Sequence, residues 1–522
     1  MKSVARPKVL HSFAGRSLVG HALAAVGELE PDVTAVVIGH RRDEVAAHLA
    51  TIAPSAEPVV QEQQNGTGHA VRVALERLRP DPGAESGTVL VIPGDAPLLR
   101  GETLAALLTE HHATGAAATL LTSDLTDPTG YGRVIRAEDG SVARVVEHKD
   151  ASPDERAVAE VSALVYAFEA VALRDAVGRL STDNTQGEEY LPDVVGIFVR
   201  EGRAVRAIKA PATETAGVND RVQLAAAHRF YNDRLLEQHM RAGVTVIDPA
   251  TTWVDATVVI APDVTLKPNV QLEGSTSIGG GAVIGPDSTL TDTEVGAGSV
   301  LDRVVARQAV IGADANIGPY AYLRPGTVLA DQVHVGTYVE IKGSEIGTGT
   351  KIPHLSYVGD ASIGEHTNIG AATVFVNYDG VHKHRTVVGS HARTGADNMF
   401  VAPVRVGDGA YTAAGSVISE DVPAGALGIG RAKQRNVEGW VERRRAGTPA
   451  AAAAQAAGTV SAAAAATVGM SGGKPDSDEV DPAEVDPAEV EAPQVGPAGP
   501  DPSGLNAAEN ILQTGDTETP GR

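Results

Sequence analysis

From about Val254 onward the sequence repeats a six-residue pattern of an aliphatic residue, a small residue and a polar turn. It reads VVIAPD, VTLKPN, VQLEGS, TSIGGG and AVIGPD, and the pattern returns later as VHVGTY, TNIGAA and VRVGDG. In-phase aliphatic residues at this period are typical of a coil with flat faces, whose corners are occupied by Gly, Asn and Asp. We therefore predict a parallel β-helix. With three hexapeptides per turn, the segment gives about ten turns stacked at the inter-strand spacing of about 4.8 Å.

Residues 1 to about 245 follow a different pattern, in which short β-branched runs alternate with amphipathic stretches. TAVVIG precedes RRDEVAAHLA, and TVLVIPGD precedes GETLAALLTEHH. Apolar strands followed by helices of this length indicate a largely parallel sheet covered on both faces, as in α/β nucleotide-binding domains. The run NDRVQLAAAHRFYNDRLLEQHMRAG predicts a helix that links this half to the β-helix.

Composition narrows the function classes. The chain has no cysteine, which excludes a disulfide scaffold and thiolate chemistry and fits a reducing, cytoplasmic setting. No apolar run approaches the roughly 20 residues that cross a bilayer. The net charge of −23 argues against a nucleic-acid partner. Residues 446–522 are rich in Ala, Pro, Gly and acidic residues and include DPAEVDPAEV, so we expect a disordered tail there.

Two interruptions of the hexapeptide phase mark a candidate site in the second half. KIPHLSYVGD and VNYDGVHKHRT break the repeat, and LRPG and VEIKGS lie nearby. We expect these segments to gather one imidazole and three cations, a combination that suits a phosphorylated substrate and proton abstraction. The residues concerned are His354, Tyr357, Asn377, Tyr378, Lys383, Arg324 and Lys342. The alternative is a zinc site, because His334, His366, His382, His384 and His391 occur in the same region.

The first half has two weaker signals. QEQQNGTGHA follows a strand and starts a helix, so its glycines would let backbone N–H groups approach a base or phosphate. VIPGDAPL ends a strand with Asp95, at the sheet edge where open α/β domains bind ligands and a carboxylate can hold Mg²⁺. The alternative role for Asp95 is that of a turn or cap residue.

From Lys8 to about Trp440 the sequence resembles a bacterial family of bifunctional enzymes. The family joins N-acetylglucosamine-1-phosphate uridyltransferase and glucosamine-1-phosphate N-acetyltransferase activities, which supply UDP-N-acetylglucosamine for cell-wall precursors. The matching motifs are PKVLH, QNGTGHA, GDAPL, DPTGYGRV, VEHKD, GVNDR, LRPG, VEIK, HLSYVGD, NIGA, NYDG, FVAPV and GWVERR. The resemblance implies a Rossmann-like nucleotidyltransferase domain, then a left-handed parallel β-helix that forms homotrimers.

The resemblance also implies roles for residues of the β-helix. His354 would be the general base that deprotonates the amine of glucosamine-1-phosphate as it attacks acetyl-CoA. The residues expected to hold the sugar phosphate are Arg324, Lys342, Tyr357, Asn368 and Lys383. Those expected to line the acetyl-CoA site are Ala371, Asn377, Tyr378, Ala396, Ala414 and Arg431.

In the first domain, the resemblance implies Mg²⁺ ligation by Asp95 and Asn219. The residues expected to contact UTP, N-acetylglucosamine-1-phosphate or UDP-N-acetylglucosamine are Lys8, Gln61, Gln64, Gly66, Thr67, Gly132, Glu147, Ser162 and Asn219. The reaction would be in-line attack of the sugar phosphate on the α-phosphate of UTP, promoted by positioning and charge neutralisation.

The sequence departs from the family pattern at three places. Ser162 stands where the family has Asn, which puts one sugar contact in doubt, and Ala396 stands where it has Ser. The family also has a strand and a glycine-rich nucleotide loop ahead of the motif PKVLH. We expect the native protein to carry these roughly 15 to 25 residues upstream; otherwise the first domain is a remnant and the protein is an acetyltransferase only.

The predicted domains are 1–225 for the nucleotidyltransferase, 226–250 for the linking helix, 251–445 for the β-helix and 446–522 for the tail. Two alternatives remain. In glucose-1-phosphate adenylyltransferases the solenoid is regulatory, and in subunits of a eukaryotic translation-factor exchange complex the same two-domain plan is non-catalytic. Neither class needs Lys342, His354, Asn377 and Lys383 together.

Overall fold

The computed structural model describes residues 1–3, 5–78 and 87–468. Met1–Ala432 forms one compact unit, and the segment that begins at Lys433 forms a second. The helices are α1 Leu18–Gly27, α2 Arg42–Ile52, α3 Thr67–Arg77, α4 Gly101–Thr114, α5 Pro153–Arg156, α6 Ala170–Val177, α7 Asp193–Arg200, α8 Ala212–Thr215, α9 Arg221–Arg241, α10 Trp440–Arg444 and α11 Pro449–Val468.

The strands of the first domain precede α9. They are β1 Ser12–Phe13, β2 Arg16–Ser17, β3 Ala35–Ile38, β4 Glu57–Val60, β5 Thr88–Val91, β6 Ala118–Asp124, β7 Arg133–Arg136, β8 Val142–Val146, β9 Glu160–Glu169 and β10 Val205–Lys209. The α/β class is confirmed, but the expectation of a largely parallel sheet is wrong. In the described residues only the pairs β3–β4 and β6–β10 are parallel within this domain. β9 runs antiparallel to β5, β6 and β7, so it interrupts the parallel arrangement.

Helices cover both faces of this sheet, as predicted. Successive residues of β6 point to opposite sides: Leu120 packs in a core with α3, α6 and α7, whereas Leu121 packs in a second core with α1 and α4. Both side chains are fully buried. The alternation follows from the two-residue period of a strand.

An apolar cavity separates β3 from β5. Its volume is about 1010 Å³, and Val9, Val19, Val36, Leu90, Ile92 and Leu164 are among its lining residues. In the described part of the chain, β3 pairs with β4 alone and β5 with β9 alone, so each strand has one open edge.

The second half is the predicted parallel β-helix, and its fold is confirmed. Its strands are β11 Thr245–Val246, β12 Trp253–Val254, β13 Val259–Ile260, β14 Thr265–Leu266, β15 Val270–Glu273, β16 Ser277–Ile278, β17 Val283–Ile284, β18 Ser288–Thr291, β19 Glu294–Val295, β20 Val300–Leu301, β21 Val304–Arg307, β22 Val310–Ile311, β23 Asn316–Ile317, β24 Ala321–Leu323, β25 Val328–Leu329, β26 His334–Thr337, β27 Glu340–Lys342, β28 Glu345–Ile346, β29 Lys351–His354, β30 Tyr357–Gly359, β31 Ala361–Ile363, β32 Val374–Val376, β33 Thr386–Val388, β34 Met399–Val401, β35 Val404–Val406, β36 Tyr411–Thr412, β37 Val417–Ile418 and β38 Leu427–Gly428.

All of these strands except β36 and β38, which pair with each other, form three long parallel sheets of seven, ten and nine strands, in which most strands pair with the third strand along the chain. The ten-stranded sheet matches the predicted number of turns. Ile317, Val335 and Ile352 occupy one register column and are fully buried, so the aliphatic residue of each repeat points inward as the sequence predicts. Corner residues such as Asp314 and Tyr338 have positive φ, the left-handed conformation that lets the chain turn between faces.

The linking helix α9 runs over residues 221–241, so it begins and ends earlier than the predicted span. Its Asn232 is fully buried. The amide Nδ2 donates to the carbonyl of Thr252 at 2.8 Å, and Oδ1 accepts from the N–H of Val254 at 3.0 Å. These bonds fix the helix to the first turn of the coil.

The C-terminal unit differs from the expected disorder over part of its length. Residues 449–468 form helix α11, because their alanine-rich sequence has high intrinsic helix propensity. The acidic residues of the predicted tail, from 469 to 522, lie outside the described residues. Within the described ranges, no helix combines the length and apolar character that crossing a bilayer requires.

Acid should destabilise the first domain through His21. This side chain is buried, stacks on Phe13 at 4.3 Å and hydrogen-bonds the Phe13 carbonyl at 3.0 Å. Burial, together with nearby cationic groups, lowers its pKa to about 4. Between pH 4 and 6.5 the unfolded chain therefore binds a proton that the folded chain does not, so stability falls as the pH falls, by up to about 3 kcal/mol.

The measurement is the midpoint of thermal unfolding at pH 7, 6, 5 and 4. His21→Gln should flatten the dependence, since glutamine offers an N–H donor that does not titrate in this range. A substituted protein with the same pH dependence as the wild type would contradict this role for His21.

Candidate active sites

His354 lies at one corner of the coil, at the foot of a ladder of alanines. It ends β29, opposite Thr337 of the rung below, and its side chain is exposed. On the rungs above, the carbonyl of His354 accepts from the N–H of residue 372, that of Ala371 from residue 397 and that of Ala396 from residue 415. Ala371, Ala396 and Ala414 therefore follow one another up this corner, and Arg431 lies within 4 Å of a Cβ placed on residue 415. Small side chains leave an open backbone track above the imidazole.

Cationic side chains gather at the next corner, between the ten- and nine-stranded sheets. Nη1 of Arg324 is 2.7 Å from a carboxylate oxygen of Glu340. Nζ of Lys342 is 3.2 Å from both carboxylate oxygens of Asp360. The Asn377 amide donates to the second of these oxygens at 2.6 Å and contacts the Tyr357 hydroxyl at 3.4 Å. We call these residues, with Lys383, the cation corner.

Lys383 reaches the cation corner from an inserted loop. The loop leaves the coil after β32 and returns at β33, closed by the bond from the N–H of His384 to the Asn377 carbonyl at 2.8 Å. Hydrogen bonding to Lys342 and the charge of that ammonium lower the pKa of Lys383, and the charge of Arg324 acts in the same direction. The three cations are thus close enough to repel one another, and a bound anion would relieve that repulsion.

The sequence predicts that the imidazole and the three cations lie together, whereas the structure divides them between two corners. Arg324, Lys342, Tyr357, Asn377 and Lys383 meet at the cation corner, whereas His354 lies at the alanine corner across the face that carries Tyr357. The division arises because one flat strand separates consecutive corners of a turn.

Two other predicted residues lie apart from the cation corner or point away from it. Asn368 forms isolated bridges with Lys351 below and Arg393 above, on the face that precedes His354. Tyr378 is exposed in the inserted loop, where its hydroxyl donates to the Gly380 carbonyl at 2.6 Å. Among the described residues, no group of three or more His, Asp and Glu side chains is arranged to hold a metal ion.

Gly336 holds the rung of His354 in place. A Cβ at this position would lie 1.8 Å from the carbonyl oxygen of Pro353, the residue before His354. Gly336→Ala should therefore displace this rung, destabilise the protein by about 1–3 kcal/mol and impair the His354 site. The measurements are the urea midpoint by circular dichroism and the rate of acetyl transfer. Gly27→Ala, whose Cβ would meet nothing within 4 Å, is the control and should lower neither the stability nor the rate.

In the first domain, three predicted residues converge on one point. Lys8 Nζ contacts Oδ2 of Asp95 and lies 2.5 Å from Oδ1 of Asn219. Asp95 follows β5 in a turn, and its carbonyl accepts from the N–H of Val218 at 2.9 Å. Two oxygens that already face one cationic atom are the donor type that Mg²⁺ prefers, and Mg²⁺ often has only one or two protein ligands besides phosphate and water.

The glycine-rich turn also has the expected form. Gly66 has φ +105°, and a Cβ there would lie 2.5 Å from the carbonyl of Glu189, so only glycine fits. Thr67 begins α3, and its hydroxyl accepts from the N–H of Leu191 at 3.0 Å. Gln61 Nε2 lies 3.2 Å from the Gly66 carbonyl, and the Gln64 amide lies 2.8 Å from a Cβ placed on Gly39.

Gly132 and Glu147 form a third group. A Cβ on Gly132 would lie 3.4 Å from a carboxylate oxygen of Glu147. Burial, and then the charges of Asp193 and Asp150, raise the pKa of Glu147. Ser162 differs from the expectation of a sugar contact: it is buried, and its hydroxyl is bonded to that of Tyr166 at 2.8 Å, so that hydroxyl is not free for a ligand.

Reasoning from the sequence missed the acids that organise the cations. Asp360 and Glu340 each hold one cationic side chain in place. Asp360 is the last residue of the motif HLSYVGD, so the sequence could have indicated it. In the structure it lies at a corner with a positive φ, a conformation that aspartate tolerates. No local signal distinguishes Glu340 from a solvated surface charge.

The proteins that this chain resembles match it over both the first domain and the β-helix. Residues 1–165 match the model of the MobA-like NTP transferase domain. The chain is 59% identical over 457 residues to the "Bifunctional protein GlmU" of Streptomyces avermitilis, covering 87% of this chain and 94% of that protein. For the protein of the same name in Thermobifida fusca the identity is 58%, covering 86% and 93%. The chain belongs to the GlmU family. Like the family, it is a bifunctional transferase that joins uridyltransferase and acetyltransferase activities.

GlmU membership agrees with the architecture, since a nucleotidyltransferase domain precedes a β-helix of hexapeptides. The GlmU protein of Streptomyces coelicolor is 58% identical over 458 residues, again covering 87% of this chain. The matched length exceeds residues 1–165, so it includes the β-helix that carries both corners.

Proposed function

We propose that the two corners of the β-helix and the Asp95 region of the first domain perform the two GlmU reactions in the following way. The β-helix transfers an acetyl group from acetyl-CoA to glucosamine-1-phosphate. The first domain then joins N-acetylglucosamine-1-phosphate to UTP, with release of pyrophosphate. The observation that carries the proposal is the convergence of Arg324, Lys342 and Lys383 at one corner of the coil.

The cation corner is suited to hold the phosphate of the sugar. Arg324 offers a planar pair of donors, and Lys342 and Lys383 add two ammonium groups. The lowered pKa of Lys383 reflects unrelieved repulsion in the free protein. A phosphate dianion placed among the three cations would relieve that repulsion.

His354 is suited to act as the base. As the substrate nitrogen attacks the thioester carbonyl, its proton passes to the imidazole, the C–S bond breaks and coenzyme A leaves. The alanine ladder above His354 leaves room for an extended acyl carrier along the coil, with Arg431 at the upper end for its phosphates. Asn368, Asn377 and Tyr378 are proposed to complete the two substrate sites.

Asp95 and Asn219 are proposed to hold Mg²⁺ in the first domain. When bound, the ion would neutralise developing charge on the phosphates. Lys8, already between the two oxygens, would turn to the nucleotide phosphates. Gly66 and Thr67 would present backbone N–H groups at the start of α3, and Gln61, Gln64, Gly132 and Glu147 would orient the uridine and the sugar.

A homotrimer is the proposed assembly, and the cytoplasm is the proposed location. Support for the trimer is the separation of His354 from the cation corner, because side-by-side coils would bring the cation corner of one chain to the alanine corner of its neighbour. The exposed Tyr320 and Tyr338, on successive turns below His354, and the exposed Leu355, which follows His354 in the chain, support an interface of this kind. The solution mass from analytical ultracentrifugation tests it.

Two assays on the purified chain test the proposed reactions separately. Release of coenzyme A from acetyl-CoA with glucosamine-1-phosphate reports on the β-helix. Release of pyrophosphate from UTP, N-acetylglucosamine-1-phosphate and Mg²⁺ reports on the first domain. Coenzyme A release that does not depend on glucosamine-1-phosphate would contradict the proposal for the cation corner.

A further inference from the structure

Arg133 is a fully buried arginine in the first domain for which the proposed chemistry has no role. Its side chain is 1% exposed, at the start of β7. No salt bridge joins it to a carboxylate anywhere in the described ranges, although arginines at such depth are normally paired with an acid. Burial lowers its pKa. A charged group kept in so unfavourable a position needs an explanation other than ion pairing.

The bonds of Arg133 explain its position. One guanidinium nitrogen donates to the carbonyl of Tyr131, and two donate to the carbonyl of Arg156 at 3.3 Å. Nη2 also lies 3.3 Å from Nδ1 of His148. The guanidinium thus joins three segments: the DPTGYG loop before β7, the EHK turn after β8 and the end of α5.

Those segments carry the sugar-contact residues. Gly132 lies between Tyr131 and Arg133, and Glu147 directly precedes His148. Arg156 adds a second tie, because its Nε donates to the carbonyl of His148 at 3.2 Å. The separation of Gly132 and Glu147, which face one another, is therefore set by a network centred on Arg133.

We propose that Arg133 is a positioning residue for uridyl transfer, which fixes Gly132 against Glu147 so that the sugar phosphate binds in one orientation. The proposal rests on the function proposed for the first domain. Only a planar group with donors in several directions can bond these acceptors together, so lysine, with a single nitrogen, cannot replace arginine here.

The test is the kinetics of uridyl transfer by Arg133→Lys and Arg133→Met, measured as pyrophosphate release with Mg²⁺. The KM for N-acetylglucosamine-1-phosphate should rise roughly ten- to hundredfold in both, because displacement of contact residues by about 1 Å has effects of that size. The KM for UTP should change much less, and acetyl transfer, performed by the same chain, should be unchanged.

Arg136→Lys is the matched control. Arg136 is on the same strand but pairs with Glu160, so its replacement perturbs the domain without loosening Gly132 or Glu147. Wild-type KM values in both Arg133 variants, or an equal rise in the KM for UTP, would overturn the positioning role while leaving the domain function intact. A wild-type chain that neither releases pyrophosphate nor binds UDP-N-acetylglucosamine in calorimetry would overturn the domain function, and the positioning role with it.

Discussion

Replacement of His354 by glutamine should lower acetyl transfer by about 10²- to 10⁴-fold, the usual contribution of a positioned general base. Glutamine keeps a polar side chain of similar reach but cannot accept the substrate proton. The exposed position of His354 at the end of β29 means that the fold should tolerate the change.

The measurement is coenzyme A release at saturating glucosamine-1-phosphate. His391→Gln is the matched control, since His391 is another corner histidine of the coil, stacked on His366 at 5.3 Å and outside both corners of the site. Uridyl transfer should be the same in all three proteins. Acetyl transfer by His354→Gln within threefold of the wild type would rule out His354 as the base.

Asp95→Asn should lower uridyl transfer by roughly 10²-fold or more, because charge neutralisation at the phosphates contributes several kcal/mol. The change keeps the size of the side chain and removes its charge, so the contact with Lys8 is weakened without a steric effect. Higher Mg²⁺ concentrations should restore part of the activity. Acetyl transfer should not change.

Pyrophosphate release over a range of Mg²⁺ concentrations is the readout. Asp124→Asn is the control, because Asp124 is an exposed acid of the same domain that lies 2.7 Å from Lys209 and is not one of the proposed contact residues. If Asp124→Asn and Asp95→Asn have equal effects, or if Asp95→Asn leaves the Mg²⁺ dependence unchanged, Asp95 is not a metal ligand.

The sequence predicts the β-helix better than the first domain for a physical reason. In the coil, the place of an aliphatic residue such as Ile317 or Ile352 in its hexapeptide predicts that its side chain points inward, because every turn repeats the same local geometry. In the first domain the direction of β9 depends on pairing between segments that are distant in the sequence. The alternation of strands and helices along the chain does not indicate that direction. The helix over residues 449–468 departs from the expected disorder because alanine favours helix, whereas the proline, glycine and acidic residues that follow it in the sequence indicate disorder.

In the candidate sites, too, the sequence predicts local features better than features set by contacts between distant segments. The turn at Gly66 was predicted from its motif, since a positive φ and a close backbone leave a glycine signature. The separation of His354 from the cation corner was not predicted, because nearness in sequence does not specify which corner of a turn a residue occupies. Nor could the sequence show that Ser162 would be buried against Tyr166, a contact set by the packing around β9.

The loop that carries Lys383 has a consequence for how such a coil can change. The inserted residues lengthen a single turn, yet Ser362 still pairs with Val387, and Val387 with Arg405 above it. An insertion at a corner therefore leaves every later strand on the same face of the coil. A loop that recognises a ligand can therefore be inserted into one turn without affecting the others. A single extra hexapeptide, in contrast, would rotate all later strands by a third of a revolution about the axis of the coil.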